Sequence, residues 1–485
     1  MTEIELKFQV PQERRAALAK AVATATARNV RLQAHYFDTA DRRLAQALLA
    51  LRVRKEGRRW VQTLKGAGDG VWQRLEHEVP VTVAAGQLPV ADVGLHDGTP
   101  VGEALRKALG DASLAPTYGT DVRRCLRLLR APGCTVELAF DQGALQAGDQ
   151  RWPLCELEFE LKAGEALAMT EVAARWVGRF GLTLDTRSKS ERGDRLTRGV
   201  RLGAAVKAQP VVLAAGVDSP AAVRSIIGSC LAQVLGNASD IAHGDSSPEH
   251  LHQLRVGLRR LRTALRELAD LLPSAKPHWN EALTQVFSRL GAARDIDALA
   301  QFLLPALRKA GASALTLPAD GSAVPPEAVL REPATQVLWL ELLACAAGTA
   351  GPPSADAEPF APRLQERLAR LHRQVRRDAK VFASIDDTAR HRLRKRIKRL
   401  RYLCDFGASL YDRKAVKAFV APLAVAQEAL GAFNDVCVAR TLFDRIAADD
   451  SQAMFALGWL AHERDGAIER CVAALKKLRK APVSW

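Results

Sequence analysis

At the start of the chain Glu3, Glu5 and Lys7 alternate with Ile4, Leu6 and Phe8. In an extended strand successive side chains point to opposite faces, so two carboxylates and an amine share one face and three apolar groups the other. The pattern recurs. Arg52 and Arg54 alternate in Leu51–Lys55, Thr63 and Lys65 flank Leu64, and Arg74, Glu76 and Glu78 alternate with Leu75 and His77. Glu137 and Asp141 flank Leu-Ala-Phe, and Glu156, Glu158, Glu160 and Lys162 alternate with Leu157, Phe159 and Leu161. One such strand describes an ordinary sheet with a solvated face. Six, with acids and bases both held in phase, point to a closed sheet whose charged faces share one lumen and whose edges are removed. Such a cavity suits metal ions together with something anionic.

The chain has 485 residues, a net charge of +16 and a pI near 9.8, which implies two or more domains and a polyanionic partner. Its eight cysteines are scattered with no Cys-x-x-Cys pair, against a disulfide framework or zinc cluster and in keeping with a reducing cytoplasm. The opening strand leaves no room for a signal peptide, and no uninterrupted apolar run approaches the roughly 20 residues of a membrane span. No Gly-x-x-x-x-Gly-Lys-Ser/Thr loop is present, which argues against a P-loop ATPase.

Residues 1–200 read mostly as strands, with helices expected over Gln12–Ala27, Val101–Leu109 and Ala166–Phe180, the last capped by Gly181, and a hairpin-like turn at 66–70. Residues 201–219, rich in Ala, Gly and Val, read as a linker. From Pro220 to Trp485 the periodicity is helical and duplicated. His252–Arg262 matches His391–Arg401 at an offset of 139, and Leu290–Ile296 matches Leu430–Val436 at an offset of 140. Two motifs that keep their separation imply two equivalent helical bundles related by a pseudo-twofold. Part of Gly311–Pro362 reads as an irregular loop.

His252, Arg255, Arg259 and Arg262 fall on one helical stripe beside Leu251, Leu254, Leu258, Leu261 and Leu265; His391, Arg394, Lys398 and Arg401 repeat it. No acids are interleaved from His252 to Leu265 or from His391 to Leu403. Like charges one turn apart repel, so an uncompensated stripe suits a multiply charged anion. Aromatics are 5% of the chain and Tyr402 alone lies within either basic segment, which provides poorly for base stacking and argues for a ligand that is all phosphate rather than nucleic acid.

The N-terminal half resembles the CYTH family, the triphosphate tunnel metalloenzymes. Its signature stands as Glu3-Ile-Glu5-Leu-Lys7, followed by Tyr36–Thr39, Leu51–Arg54, Gln62–Gly66, Glu76–Glu78, Thr120–Arg124, Glu137–Gly143, Cys155–Lys162 and Ser188–Gly193. The C-terminal half resembles the CHAD domain, through the duplicated His-x-x-Arg helix. The resemblance implies a multidomain chain: an eight-stranded antiparallel β-tunnel with flanking helices, α+β in class, then all-α duplicated bundles. It implies Mg²⁺ or Mn²⁺ on Glu3, Glu5, Glu158 and Glu160, with Glu156, Glu78 and Asp141 as further contributors. It gives the phosphates to Lys7, Arg52, Arg54, Lys65, Arg124 and Lys189. Since Arg123 and Arg124 are adjacent, only one should face the lumen.

The expected chemistry is metal-assisted hydrolysis of inorganic triphosphate, with Glu3, Glu5, Lys7 and Glu160 at the reacting centre. Water attacks in line, held by the metal or by Glu5 or Glu160. Paired carboxylates suit Mg²⁺ or Mn²⁺ rather than Zn²⁺. Long-chain polyphosphate is the expected partner of the helical half, at His252, Arg255, Arg259, Arg262, His391, Arg394, Lys398 and Arg401, and association with polyphosphate granules in the cytoplasm would follow. Adenylate cyclisation and polyphosphate binding without catalysis are the competing functions.

Overall fold

The computed structural model describes residues 2–68, 73–84, 86–291, 303–312, 324–348, 358–448, 451–483 and 485, the side chains of residues 2, 3, 67, 73, 74 and 451 excepted. Nine antiparallel strands are present among them: β1 Thr2–Gln9, β2 Arg28–Asp38, β3 Ala50–Glu56, β4 Arg59–Ala67, β5 Gln73–Val81, β6 Ala115–Ala131, β7 Cys134–Ala147, β8 Gln150–Gly164 and the two-residue β9 Thr183–Leu184. They run in the order β5-β4-β3-β2-β6-β7-β8-β1-β9. A further pairing of β1 with β5, setting Glu3 opposite Arg74, joins the two ends. Eight strands therefore close into a ring, the expected tunnel, and β9 is a short addition on β1.

Alternation decides which face looks inward. The even positions of β1 and the odd positions of β8 bury outside the ring: Phe8 meets Phe159 edge-on at 5.4 Å, and Phe159 meets Trp176 at 6.0 Å. Trp176 lies on α4 (Ala166–Phe180), which ends at Gly181 in the left-handed region, φ 63°. On the far side Leu51, Val53 and Leu64 pack with Val101, Leu105 and Leu109 of α3 (Pro100–Leu109). Each fully buried aliphatic or aromatic side chain stabilises by about 1.5–3 kcal/mol, so these outer layers set the strand register and leave the charged residues to the lumen. Two smaller helices, α1 (Arg15–Val22) and α2 (Arg43–Gln46), complete the wall.

The helix α5 (Lys189–Thr197) packs against β6, β7 and β8 and lines part of the lumen; it is capped by Ser188, whose hydroxyl accepts the Glu191 N–H at 3.0 Å. Leu196 of α5 joins Leu32, Val122, Leu145 and Leu154 in an apolar cluster. The approach is close at Gly193, where a β-carbon would sit 2.0 Å from the Tyr118 ring.

Further helices are α6 (Ser219–Ala242), α7 (Pro248–Leu268), α8 (Trp279–Arg289), α9 (Pro326–Arg331), α10 (Pro333–Ala347), α11 (Phe360–Lys380), α12 (Asp387–Phe406), α13 (Arg413–Asp444) and α14 (Ser451–Arg479). The chain forms two compact units. The first comprises Met1–Lys207, Leu231–Leu254 and Pro326–Gly348; the second Ala208–Cys230, Arg255–Pro325 and Thr349–Trp485. Chain order and packing thus part company, because two pieces of the helical half belong to the first unit. The Gly311–Pro362 stretch holds α9 and α10, and α10 is apolar on all sides, with nine buried residues, as a core helix is. The Gly66–Gly70 turn and the first copy of the Leu290–Ile296 motif lie largely outside the described residues.

One described helix, α13, is long and apolar enough by length and composition to cross a membrane: its 32 residues include an 18-residue window of mean hydropathy 1.3, of which 28% is buried. Its Phe419, Leu423, Ala426, Leu430, Phe433, Ala439 and Phe443 are buried, and Ala439 and Phe443 join an apolar core cluster of the second unit.

Candidate functional site

The lumen is a cavity of about 1430 Å³. Of the residues the sequence assigned to it, Glu5, Lys7, Arg52, Arg54 and Lys65 line it from β1, β3 and β4. Arg124, Asp141, Glu158 and Glu160 line it from β6, β7 and β8, and Lys189 reaches it from the first residue of α5. Arg123 is exposed on the outside, so Arg124 is the inward member of that pair. Glu3 lies opposite Arg74 in β1, and its side chain is outside the described residues. Glu156 is fully buried and does not line the cavity.

Acid and base are interleaved along the wall. Across β1 and β8 the register sets Glu5 opposite Glu160 and Lys7 opposite Glu158. Arg124 donates to both oxygens of Asp141 at 2.6 Å and also meets Glu158. The Lys189 ammonium contacts Asp141 at 2.9 Å and touches Glu156 and Glu158. Burial by itself would raise the Glu158 carboxyl, but Lys189 and Arg124 hold it well below the usual carboxylate range. Burial likewise opposes charge on Lys189, yet Asp141, Glu156 and Glu158 hold it well above an ordinary lysine. On the opposite wall Lys65 pairs with Glu76 at 2.8 Å, the Thr63 hydroxyl donates to Glu78 at 2.9 Å, and Arg52 lies 3.9 Å from both glutamates. Burial opposes charge on Arg52, while Tyr36, Glu76 and Glu78 raise it. Arg54 is pushed down by burial and by Arg52.

Among the described residues one group can take a metal. Carboxylate oxygens of Asp141, Glu156 and Glu158 lie within 4.8 Å of one another. All the donors are hard carboxylate oxygens, with neither thiolate nor imidazole among them, a set that fits Mg²⁺ or Mn²⁺. The grouping leans on β7 and β8. Glu5 and Glu160 stand nearby, Glu5 being close enough to bear on the charge of Arg124.

Sequence reasoning passed over several partners. Arg192 of α5 holds Glu156 at 3.0 Å, which seats that glutamate behind the lumen. Tyr36 and Tyr118 stack at 4.6 Å beside Arg52, and the Tyr118 hydroxyl donates to the Ser190 carbonyl at 3.1 Å. Asp185 and Arg187, in the turn before α5, anchor β1: the Lys7 ammonium donates to the Arg187 carbonyl, and Gln9 donates to Asp185 at 2.8 Å. Of these side chains, Tyr36 and Arg192 stood inside stretches the sequence singled out.

The second charged cluster lies in the second unit. Arg255, Arg259 and Arg262 of α7 crowd the Phe287 ring of α8 at 4.9, 5.8 and 5.3 Å. Arg255 donates to the Leu290 carbonyl at 3.1 Å. The two copies of the stripe come together at Lys398 of α12. Burial, then Arg394 and Arg259, with Arg255 adding to them and Asp435 opposing, lowers its ammonium to about 7. Arg401 is half-buried further along α12, and His391 shares a 3.1 Å hydrogen bond with Asn434 of α13, so both repeated motifs meet in the second copy. Glu267 of α7 pairs with Arg370 at 3.1 Å and Arg399 at 2.7 Å. His252 is half-buried on α7 within the 231–254 segment of the first unit.

Comparison with known proteins finds two domains in succession along the chain. Residues 1–193 match the CYTH domain model and residues 225–444 the CHAD domain model. An inorganic triphosphatase of Haemophilus influenzae is 28% identical over 204 residues, 40% of this chain and 54% of the relative, so the chain spans about half the length of that curated relative. The solved CHAD domain of the plant Ricinus communis is 28% identical, covers 59% of this chain and all of its own, and superimposes with a TM-score of 0.48. HpAC1 from Hippeastrum, described as having a dominant triphosphatase activity, is 16% identical over 41% of this chain and 97% of its own, with a TM-score of 0.30.

Proposed function

We propose that this chain, a CYTH domain followed by a CHAD domain, is a metal-dependent inorganic triphosphatase whose helical half binds polyphosphate. The proposed division of labour follows the sequence: catalysis within 1–200, a linker at 201–219 and polyanion binding within 220–485. The observation that supports the reading most is the meeting of Asp141, Glu156 and Glu158 with Arg124 and Lys189 beside a 1430 Å³ cavity. A cavity that only bound anions would gain nothing from so many carboxylates, whereas a cavity that binds metal and polyanion together needs both signs.

In this reading Asp141, Glu158 and Glu156, with Glu3, Glu5 and Glu160, hold Mg²⁺ or Mn²⁺. The bound metal supplies charge neutralisation and polarises phosphoryl oxygens. Lys7, Arg52, Arg54, Lys65, Arg124 and Lys189 grip the phosphates. Lys189 and Arg124 already contact carboxylates, and an arriving triphosphate gives them a second set of oxygens, loosening the carboxylates for the metal. Their fixed charges, buried away from competing water, stabilise the charge that develops on the leaving phosphate. Glu5 and Glu160, opposite one another across β1 and β8, orient the attacking water in line with the terminal anhydride.

In the helical half Arg255, Arg259, Arg262, Arg394, Lys398 and Arg401 offer forks and point charges to successive phosphates. His252 and His391 contribute hydrogen bonds at the head of each stripe.

The test is phosphate and cyclic-nucleotide release measured side by side on tripolyphosphate and ATP, with Mg²⁺ and with Mn²⁺. Phosphate from tripolyphosphate without cyclic nucleotide is the expected result. Cyclic AMP from ATP would make the chain a cyclase, and neither product would leave it a binding protein.

A further inference from the structure

The loop between β9 and α5 carries two residues that the proposed chemistry does not use. Asp185 and Arg187 are 3% and 5% exposed, and they form a closed pair: the Arg187 guanidinium donates to both Asp185 oxygens at 2.9 Å. The loop grips β1 at three points. The Asp185 N–H donates to the Lys7 carbonyl at 2.8 Å, the Asp185 carboxylate accepts from Gln9 at 2.8 Å, and the Arg187 carbonyl accepts from the Lys7 ammonium. Where Lys7 points therefore depends on where this loop sits.

The loop is itself held from α6. The Thr186 N–H donates to the Ser239 hydroxyl at 3.1 Å. Asp240, 2% exposed, accepts from Arg187 at 3.1 Å and from Arg195 of α5 at 2.6 and 3.1 Å, with His250 at 3.9 Å. Arg195 also holds Glu191 at 2.6 Å. Asp240 thus ties both the loop that holds Lys7 and the helix that begins with Lys189. Its segment, 231–254, falls within the stretch matched by the CHAD model and yet belongs to the first compact unit.

We infer that Asp240 is a positioning residue for the tunnel: through Arg187 it fixes the loop whose carbonyl holds the Lys7 ammonium. Without its charge two buried guanidinium groups lose a shared counter-ion, and the loop is free to withdraw from β1. The catalytic part of this inference rests on the triphosphatase reading; the structural part does not.

Two measurements on the full-length protein test it separately. In the first, Lys7 acylation by a small amine-reactive reagent is followed by mass spectrometry in the wild type and in Asp240→Asn. Lys7 is 8% exposed and reacts slowly; the variant labels it at least about fivefold faster. An unchanged rate overturns the inference whether or not the protein is an enzyme. In the second, Asp240→Asn is combined with Lys7→Ala. Alone it lowers kcat/KM for tripolyphosphate by about tenfold or more, and in the Lys7→Ala background by less than about twofold, because the effect has already been removed. Equal losses in both backgrounds would mean that Asp240 only supports the fold, and no loss in either would discard it. Should Asp240→Asn not fold, Arg187→Met, which keeps the carbonyl and removes the guanidinium, enters both measurements with the same expected results. Absence of turnover in the wild type would sink the triphosphatase reading and leave the labelling result to decide this one.

Discussion

Two lysines, Lys189 in the tunnel and Lys398 in the helical unit, are both withdrawn from water and are driven in opposite directions. Lys189 touches Asp141, Glu156 and Glu158 and is held firmly charged. Lys398 lies under the influence of Arg394, Arg259 and Arg255 and falls to about 7. The tunnel balances its cations with carboxylates, the arrangement that the proposed joint binding of a metal and a phosphate chain calls for. In the helical cluster the neighbours of Lys398 are mostly cations, with Asp435 opposing them, and the proposed polyanion would relieve that repulsion. Burial is common to the two; the sign of the neighbours decides the chemistry.

Removing the balance in the tunnel has the largest expected effect. Glu158→Gln takes away the carboxylate shared by Lys189 and Arg124, and tripolyphosphate hydrolysis measured by phosphate release falls by about 10²–10³-fold. Reversing the other pole comes next. With Arg255, Arg259, Arg394 and Lys398 all changed to Glu, polyphosphate binding followed by electrophoretic retention weakens about a hundredfold or more, and the steep salt dependence expected of the wild type is lost. Retention equal to the wild type would erase the contrast between the two regions.

The pH dependence sharpens it. A polyanion favours charged Lys398, so binding takes up a proton when that lysine is free near 7. Affinity is greatest below pH 7 and drops as pH rises through it, by about tenfold between pH 6 and 8. Lys398→Met should flatten the profile. The smallest effect is at α5, where it packs against the ring. In Gly193→Ala the added carbon meets Tyr118, and the resulting overpacking costs about 1–3 kcal/mol, read as a fall in the midpoint of thermal unfolding.

The ring of strands was legible because its period is short. A two-residue alternation of charged and apolar positions appears in Glu3–Phe8 and again in Glu156–Lys162, and it has one way to satisfy both faces. The lumen residues followed from the same period, since Arg124 rather than Arg123 shares a face with Asp141 across the β6–β7 register. The seat of Glu156 was not legible: it alternates in phase with Glu158 and Glu160, but Arg192 and the turn of α5 pull it behind the cavity. Nor could period reveal Asp185, Arg187 and Asp240, which come together through a loop and a helix 53 residues apart. The duplication implied two equivalent stripes, but not that they meet at Lys398. The distribution of 231–254 and 326–348 to the first unit was not legible either, because helical periodicity says which face is apolar and not which core it enters.

Phosphate release from tripolyphosphate by the intact protein, followed through removal of divalent metal by a chelator and its replacement with Mg²⁺ or Mn²⁺, tests the tunnel most directly. Turnover that vanishes on chelation and returns with either ion is the predicted result. Turnover that persists without metal, or that never occurs with it, would contradict the account.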